Sequence, residues 1–133
     1  MLKFIKYIST VLICASIGLG YLFSDNLSFA DNIKYTEEKL KNVFSKNYLM
    51  KGETSSDFWE ISALADGTLE LSVSNGYSDY GKWWIEGNTW CRKFDEARNS
   101  VTSCYTIQHV KDNKYLIEKT KGNGVDKTTV TID

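Results

Sequence analysis

Residues 81–94 read GKWWIEGNTWCRKF and predict an antiparallel β-hairpin. Aromatic and β-branched residues, which favour strands, stand on both sides of Gly87-Asn88. A glycine at the first position of a two-residue loop favours a type II′ turn, because the twist of this turn matches that of the flanking strands. With this loop, Trp84 lies opposite Cys91 in the predicted register.

The same register brings together the two cysteines nearest the C-terminus. If the polar loop 95–100 closes a second hairpin, Phe94 lies opposite Val101 and Cys91 lies opposite Cys104. We therefore predict a cross-strand disulfide, which contributes about 3 kcal/mol to stability in the chain-entropy model. The alternative is a pair of buried free thiols, which an exported domain rarely keeps.

The predicted register also sorts the side chains of this ribbon into two faces. On the polar face, Trp84 either covers the disulfide or forms an exposed aromatic surface with Tyr77 or Tyr80. Arg92 is expected either to make a cation–π pair with Trp83 or to reach the rim of the core. The apolar face, which we predict to be the core, consists of Trp83, Ile85, Trp90, Arg92, Phe94, Val101, Tyr105 and Ile107.

Outward from this ribbon, the pattern predicts one helix and then strands separated by short turns. Thr36 can cap a helix whose buried stripe includes Leu40 and Phe44, and Asn47 is its expected end. We predict a mainly β fold, in which the N-terminal helix precedes a six- to eight-stranded antiparallel meander, either a curled sheet or a small lipocalin-like barrel. The predicted strands are residues 58–64, 68–73, 80–86, 89–94, 101–110, 114–119 and 125–132.

Residues 1–30 have the pattern of a secretory signal peptide. Lys3 and Lys6 precede an uncharged, mostly apolar segment, residues 7–23, and Ser28-Phe29-Ala30 fits a signal-peptidase site. We predict cleavage after Ala30 and a periplasmic or secreted protein. The alternative is an uncleaved anchor, which would be the protein's only association with a membrane.

Composition limits the class of protein. The chain has 133 residues, a length that excludes a large multidomain enzyme. Its 16 Lys+Arg and 17 Asp+Glu give a net charge of −1, which provides no basic surface for nucleic acid. Behind the signal peptide we expect an N-terminal helix and linker over residues 31–52 and an antiparallel β-domain over residues 53–133.

The strand-rich part resembles small exported β-domains of proteobacteria, whose function is uncharacterised. The resemblance covers residues 36–118. It implies a hairpin scaffold, a disulfide and a periplasmic or secreted location, and it implies no activity. The motifs that carry it are ADGT at residues 65–68, GKWWI at 81–85, EGNTWC at 86–91 and CY at 104–105.

Motifs for catalysis or metal binding are nearly absent from the sequence. His109 is the only histidine, and its polar neighbours favour a surface or rim position. There is no nucleophile elbow, paired-histidine motif or phosphate-binding glycine loop, so we expect no cofactor and no metal. A small carboxylate-dependent hydrolase would have to pair acids on a sheet face. The acids considered for that role are Glu60, Glu70, Asp79 and Glu86.

These observations favour binding over catalysis. We expect a non-catalytic binding domain of the cell envelope that recognises a protein or glycan partner, as inhibitor and immunity proteins do. The predicted contacts are the exposed loop 95–100 or the side chains of Trp84, Tyr77, Tyr80 and Arg92.

A second class of binding protein also fits the predicted fold. This alternative is a carrier that holds a small apolar ligand in a lipocalin-like cup. The cup would be lined by Trp83, Trp90, Leu69 and Leu71.

Overall fold

A computed structural model describes residues 33–133, so the predicted signal peptide and its cleavage site lie outside the described residues. Within the described part, one helix precedes eight strands, which lies within the predicted range of six to eight. No helix in this part is long and apolar enough to cross a bilayer. The elements are α1 (Glu37–Val43), β1 (Tyr48–Glu53), β2 (Phe58–Ala63), β3 (Thr68–Val73), β4 (Ser78–Glu86), β5 (Thr89–Phe94), β6 (Ser103–Lys111), β7 (Lys114–Lys121) and β8 (Lys127–Ile132).

The eight strands form a closed antiparallel barrel in which each strand pairs with the next one along the chain. The barrel closes between β1 and β8, where Met50 lies opposite Ile132 and Lys51 opposite Thr131. Closure satisfies the backbone groups that an edge strand would leave unpaired. The fold is therefore the closed form of the predicted meander.

The predicted hairpin register is confirmed. Trp84 lies opposite Cys91, and Cys91 lies opposite Cys104, to which it is joined by a disulfide. Gly87 has a φ of 55°, as the first position of a type II′ turn requires. The prediction that Val101 belongs to the core is wrong, since this residue is 39% exposed. Strand β6 begins two residues later than predicted, so Val101 remains in the loop.

Strand β1 was not predicted, and it crosses the boundary that we expected between linker and β-domain. Residue 52 is a glycine, so the inward-facing series that starts at Tyr48 and Met50 lacks its third side chain. The ring of Trp59, opposite Gly52 in the register, takes that space: a Cβ on Gly52 would lie 2.2 Å from Trp59 Cζ2. The side chain that fills this part of the core therefore comes from β2 and not from β1.

Helix α1 closes one end of the barrel. The Thr36 hydroxyl accepts a hydrogen bond from the Lys39 N–H at 3.3 Å, which confirms the predicted cap. Leu40 and Phe44 are buried, and the Phe44 ring lies 4.4 Å from that of Tyr48. The helix ends at Val43, several residues before the predicted Asn47, since the chain must turn to enter β1.

Candidate ligand-binding site

A cavity of about 240 Å³ occupies the half of the barrel away from α1. Its mouth lies among the loops 54–57, 74–77, 95–102 and 122–126, which are all at the same end of the barrel. The lining is mostly apolar, with a few polar groups near the mouth. Lining residues include Met50, Trp59, Ile61, Leu71, Val73, Trp90, Phe94, Tyr105, Ile117 and Val125.

Trp90 separates the cavity from the filled half of the barrel. It is 1% exposed and lines the cavity, while its indole N–H donates a hydrogen bond to the Tyr48 hydroxyl in the filled half. Burial raises the pKa of Tyr48 well above its usual range, and the bond from Trp90 offsets only part of this effect. The Tyr48 hydroxyl therefore stays neutral and available as an acceptor.

Arg92 is the charged residue buried in the cavity wall, with only 5% of its surface exposed. Its guanidinium carbon lies 4.5 Å from the centroid of the Phe94 ring and 5.7 Å from that of Tyr105. Nη2 donates to the Tyr105 hydroxyl at 3.2 Å and to the Asn123 carbonyl at 3.5 Å. Nη1 is buried and has no hydrogen-bond partner among residues 33–133.

Both sequence expectations for the contacts of Arg92 are corrected by this arrangement. The rings beside the guanidinium are Phe94 and Tyr105 rather than Trp83, although Trp83 lies opposite Arg92 in the register. Trp83 turns toward the helix end, where its indole N–H donates to the Leu64 carbonyl at 2.8 Å. Arg92 lies inside the barrel and not at the rim of the core.

Within residues 33–133, no carboxylate forms an ion pair with Arg92. Burial lowers the pKa of Arg92, and the positive charge of Arg98 lowers it further, while contacts with Tyr105 oppose both effects. The cavity wall thus holds a cation whose loss of hydration is only partly compensated.

The loop between β5 and β6 places Arg98 at the cavity mouth in an uncommon backbone conformation. Arg98, Asn99 and Ser100 have φ values of 56°, 57° and 56°, all in the left-handed region. This conformation costs about 1–2 kcal/mol per non-glycine residue, so the surrounding contacts must hold it. One of them is the Asn123 side-chain amide, which donates to the Arg98 carbonyl at 2.8 Å.

Asp79 anchors the start of the same loop. This residue is 7% exposed, and its carboxylate accepts hydrogen bonds from the backbone N–H groups of Glu96 at 2.9 Å and Ala97 at 2.7 Å. Burial alone would raise the pKa of Asp79. The bonds from Ala97, Glu96 and Tyr80 outweigh burial and hold that pKa below its usual range.

The predicted binding residues divide between two surfaces. Arg92 and Tyr77 both line the cavity, and Tyr77 does so at the mouth. Tyr80 and Trp84 lie on the outer face of β4, where Tyr80 is 62% exposed and Trp84 is half-buried opposite Cys91. A single aromatic surface that includes Tyr77 and Trp84 is therefore not formed.

The residues predicted to line a cup also divide. Leu71 and Trp90 line the cavity. Leu69 and Trp83 belong to the packed core, where the Trp83 ring lies 5.5 Å from that of Tyr48. The cavity is therefore shallower than the predicted cup, because α1 and its aromatic neighbours fill the half of the barrel next to the helix.

The four acids considered for hydrolysis do not share a cleft. Asp79 and Glu86 stand near opposite ends of β4, about 23 Å apart at the usual rise of about 3.3 Å per residue. Glu60 is exposed on β2 and lies 3.9 Å from Lys51, and Glu70 is exposed on β3. Asp79 already uses its carboxylate oxygens to hold the loop.

Glu86 lies beside the disulfide, and together these residues form a cluster of metal-ligand types within residues 33–133. The carboxylate and the sulfurs of Cys91 and Cys104 lie within 4.8 Å of one another. The two sulfurs are bonded to each other, so neither offers a thiolate to a metal.

Sequence reasoning missed Trp59 and Asn123 as members of this site, and it included Arg98 only as part of the exposed loop 95–100, which lies at the cavity mouth. Asn99 is a further signal in that loop, since asparagine tolerates a left-handed backbone and so marks a tight turn. Which side chains reach the mouth depends on how the four loops meet. No protein-family model matches this chain, and neither the curated proteins nor the solved structures contain a significant match.

Proposed function

We propose that this protein is an exported, non-catalytic binding domain that holds a small apolar ligand inside its barrel. The proposal rests on the cavity that Trp90 separates from the filled half of the barrel. The inner part of this cavity is apolar, and its mouth lies at the end of the barrel that α1 does not cover. Ligand sites of this kind combine an apolar wall with a few convergent polar groups near the entrance. Arg92, Arg98 and Tyr77 are such groups here.

The size of the cavity limits the ligand. A volume of about 240 Å³ is below the range of about 300–1,000 Å³ that is usual for drug-sized ligands. At roughly 30 Å³ per non-hydrogen atom, which is the share of one water molecule in the liquid, the cavity takes about eight such atoms. We therefore expect a short aliphatic chain or a single aromatic ring rather than a long lipid.

Export forms part of the proposal. The disulfide is consistent with an oxidising compartment outside the cytoplasm. We propose that the chain is cleaved after Ala30 and that residues 31–133 act in the periplasm or after release from the cell.

The test is binding of 1-octanol, a neutral ligand of the expected size, measured by calorimetry and by the NMR shift of the Trp90 indole N–H. The substitution Val73→Phe adds a ring inside the mouth and should abolish binding, because Val73 lines the cavity. Ser72→Phe adds the same ring on the exposed face of β3 and should leave binding unchanged. Equal octanol binding by both variants, or no binding of octanol and of any other ligand with the same eight-carbon chain, would refute the proposal.

A second candidate function is recognition of an envelope protein or glycan on the outer face of β4. It is favoured by the 62% exposure of Tyr80 and by Trp84 further along the same face. Trp84→Ala should then weaken binding to purified cell-wall glycan, whereas Val73→Phe should not. If Trp84→Ala folds and binds as the wild type does, Trp84 is not the anchor.

A further inference from the structure

We propose that the ligand is an amphiphilic anion, whose acidic head is held between Arg92 and Arg98 and whose apolar chain lies against Trp90. This inference rests on the proposed function and adds the chemical class of the ligand. The head is a carboxylate or a phosphate, because the planar guanidinium fork suits both.

The first support is the state of the Arg92 side chain. A buried cation normally has a carboxylate partner, since the loss of hydration is otherwise uncompensated. Arg92 has two ring contacts and two long hydrogen bonds from Nη2, while Nη1 has no partner within residues 33–133. An anionic head beside Arg92 would supply the missing charge.

The second support is that another guanidinium lies close by. Arg92 Nη2 and Arg98 Nε both approach Gly124, lying 2.9 Å and 3.9 Å from the position that a Cβ on that glycine would take. Two like charges repel, yet neither arginine forms a salt bridge within the described part of the chain. The strained backbone of the loop is what brings Arg98 to this place.

Asp57, the carboxylate among the residues that line the cavity, does not neutralise the two arginines. Asp57 lines the cavity from the loop between β1 and β2. Its carboxylate accepts hydrogen bonds from the hydroxyls of Ser74 at 3.0 Å and Ser56 at 3.1 Å, and it makes no ion pair with either arginine. The residues that line the cavity therefore carry a net charge of +1, from Arg92, Arg98 and Asp57, above an apolar floor. The carboxylates of Asp95, Glu96 and Asp126 belong to the same loops but do not line the cavity. The charge of the lining suits an acid with an apolar tail.

A structural role is the competing explanation of Arg92. Asn123 Oδ1 is the other buried side-chain atom without a hydrogen-bond partner in residues 33–133, so a water bound between the two groups could satisfy both. In that case Arg92 would stabilise the loops and would not discriminate among ligands. The two explanations differ in what happens when Arg92 is replaced by an apolar residue of similar length.

The experiment compares four ligands with the same eight-carbon chain, namely octanoate, octyl phosphate, 1-octanol and octylamine, by calorimetry on the purified protein with its disulfide intact. We expect at least one anion to bind about 10- to 100-fold more tightly than octanol, which is the effect of one or two charge-assisted hydrogen bonds. Octylamine should bind more weakly than octanol. The two anions distinguish a carboxylate from a phosphate head.

Three variants complete the test. Arg92→Met should remove the preference for the anion over octanol and leave the melting temperature of the free protein equal or higher, because an uncompensated buried charge is lost. Arg98→Gln, at an exposed residue, should weaken anion binding by about three- to tenfold, and it decides the matter if Arg92→Met does not fold. Asp57→Asn is the matched control at the mouth and should strengthen anion binding.

The outcomes separate this inference from the proposed function. If octanol and both anions bind equally, or if Arg92→Met lowers the melting temperature and keeps the anion preference, the inference is overturned and the apolar-ligand function stands. If none of the four ligands binds, the proposed function itself fails. A reduced anion preference in Arg98→Gln, and its loss in any folded Arg92→Met, supports the inference.

Discussion

At the scale of single residues, the barrel contains two buried charges that are treated differently. The Asp79 carboxylate is satisfied by backbone N–H groups of the loop that it holds. The Arg92 guanidinium has ring contacts and, in the part of the chain that the structure describes, a hydrogen-bond partner for one of its two terminal nitrogens. A buried charge whose hydrogen bonds are complete is compensated for its loss of hydration, whereas an incompletely bonded one costs stability. We therefore expect replacement of Asp79 to change the stability of the fold and replacement of Arg92 to change ligand binding.

The Asp79 carboxylate should make stability depend on pH. Its pKa is lowered in the folded state, so its contribution is present above the unfolded pKa of about 3.9 and is lost as the pH falls through the native pKa. Asp79→Asn should lower the free energy of unfolding by about 1–2 kcal/mol near neutral pH, and the difference from wild type should vanish in acid. Urea unfolding across this pH range checks the prediction.

Glu96→Gln is the control for that measurement, because it removes one negative charge from the same loop at an exposed side chain. Its effect should stay within about 0.5 kcal/mol. A difference between wild type and Asp79→Asn that stays constant down to acidic pH would contradict the assigned role.

At the scale of elements, the β5–β6 ribbon and α1 stabilise the barrel by different means. The ribbon is covalently crosslinked by Cys91–Cys104, whose Cα atoms are 4.1 Å apart. Helix α1 has only seven residues, too few to be stable alone, and holds its place by burying Leu40 and, through its C-cap, Phe44. Together they support the two strands that carry Trp83, Trp90 and Arg92.

Removing the crosslink should lower stability without changing the fold. The double substitution Cys91→Ala/Cys104→Ala should reduce the free energy of unfolding by about 2–4 kcal/mol, because the unfolded chain regains the entropy that the closed loop removes. Urea unfolding of the variant, with reduced wild type as the matched comparison, measures this loss. If oxidised and reduced wild type unfold at the same urea concentration, the disulfide does not stabilise the barrel.

Truncating the buried face of α1 should open the closed end of the barrel. Leu40→Ala should lower the free energy of unfolding by about 2–5 kcal/mol and Phe44→Ala by about 3–5 kcal/mol. Asn42→Ala, on the exposed side of the helix, should change it by less than about 0.5 kcal/mol. Chemical denaturation provides the values, and equal effects at buried and exposed positions would show that the helix does not close the barrel.

At the scale of the whole molecule, the barrel has one filled end and one open end. The filled end contains the aromatic contacts among Phe44, Tyr48 and Trp83. The open end contains the cavity and the two arginines. Stability and binding are thus placed in opposite halves, so substitutions around α1 should change the melting temperature more than ligand affinity.

Export should determine the covalent state of the molecule. When the full sequence is expressed in a bacterium, the product outside the cytoplasm should begin at residue 31 and contain no free thiol in residues 31–133. Intact-mass analysis with and without thiol alkylation measures both properties. A product with reduced Cys91 and Cys104, or one that retains residues 1–30 on the cytoplasmic side, would contradict export.

The sequence by itself determined the strand-rich fold, the hairpin register and the disulfide. These follow from local chemistry: the Gly87-Asn88 turn sets one register, and the period of two then places Cys91 opposite Cys104. It did not reveal β1, because Gly52 removes an inward side chain from the pattern and the ring that replaces it comes from Trp59.

Only the tertiary structure decided where the barrel is filled and where it is open. Arg92 was predicted on the correct face, but its partners depend on how loops distant in sequence meet around it, as the contacts with Tyr105 and Asn123 show. Closure between β1 and β8 and the packing of α1 are likewise contacts between segments far apart in the chain. Short-range patterns specify strands and turns, whereas a cavity is what remains when the packing of the whole chain is complete.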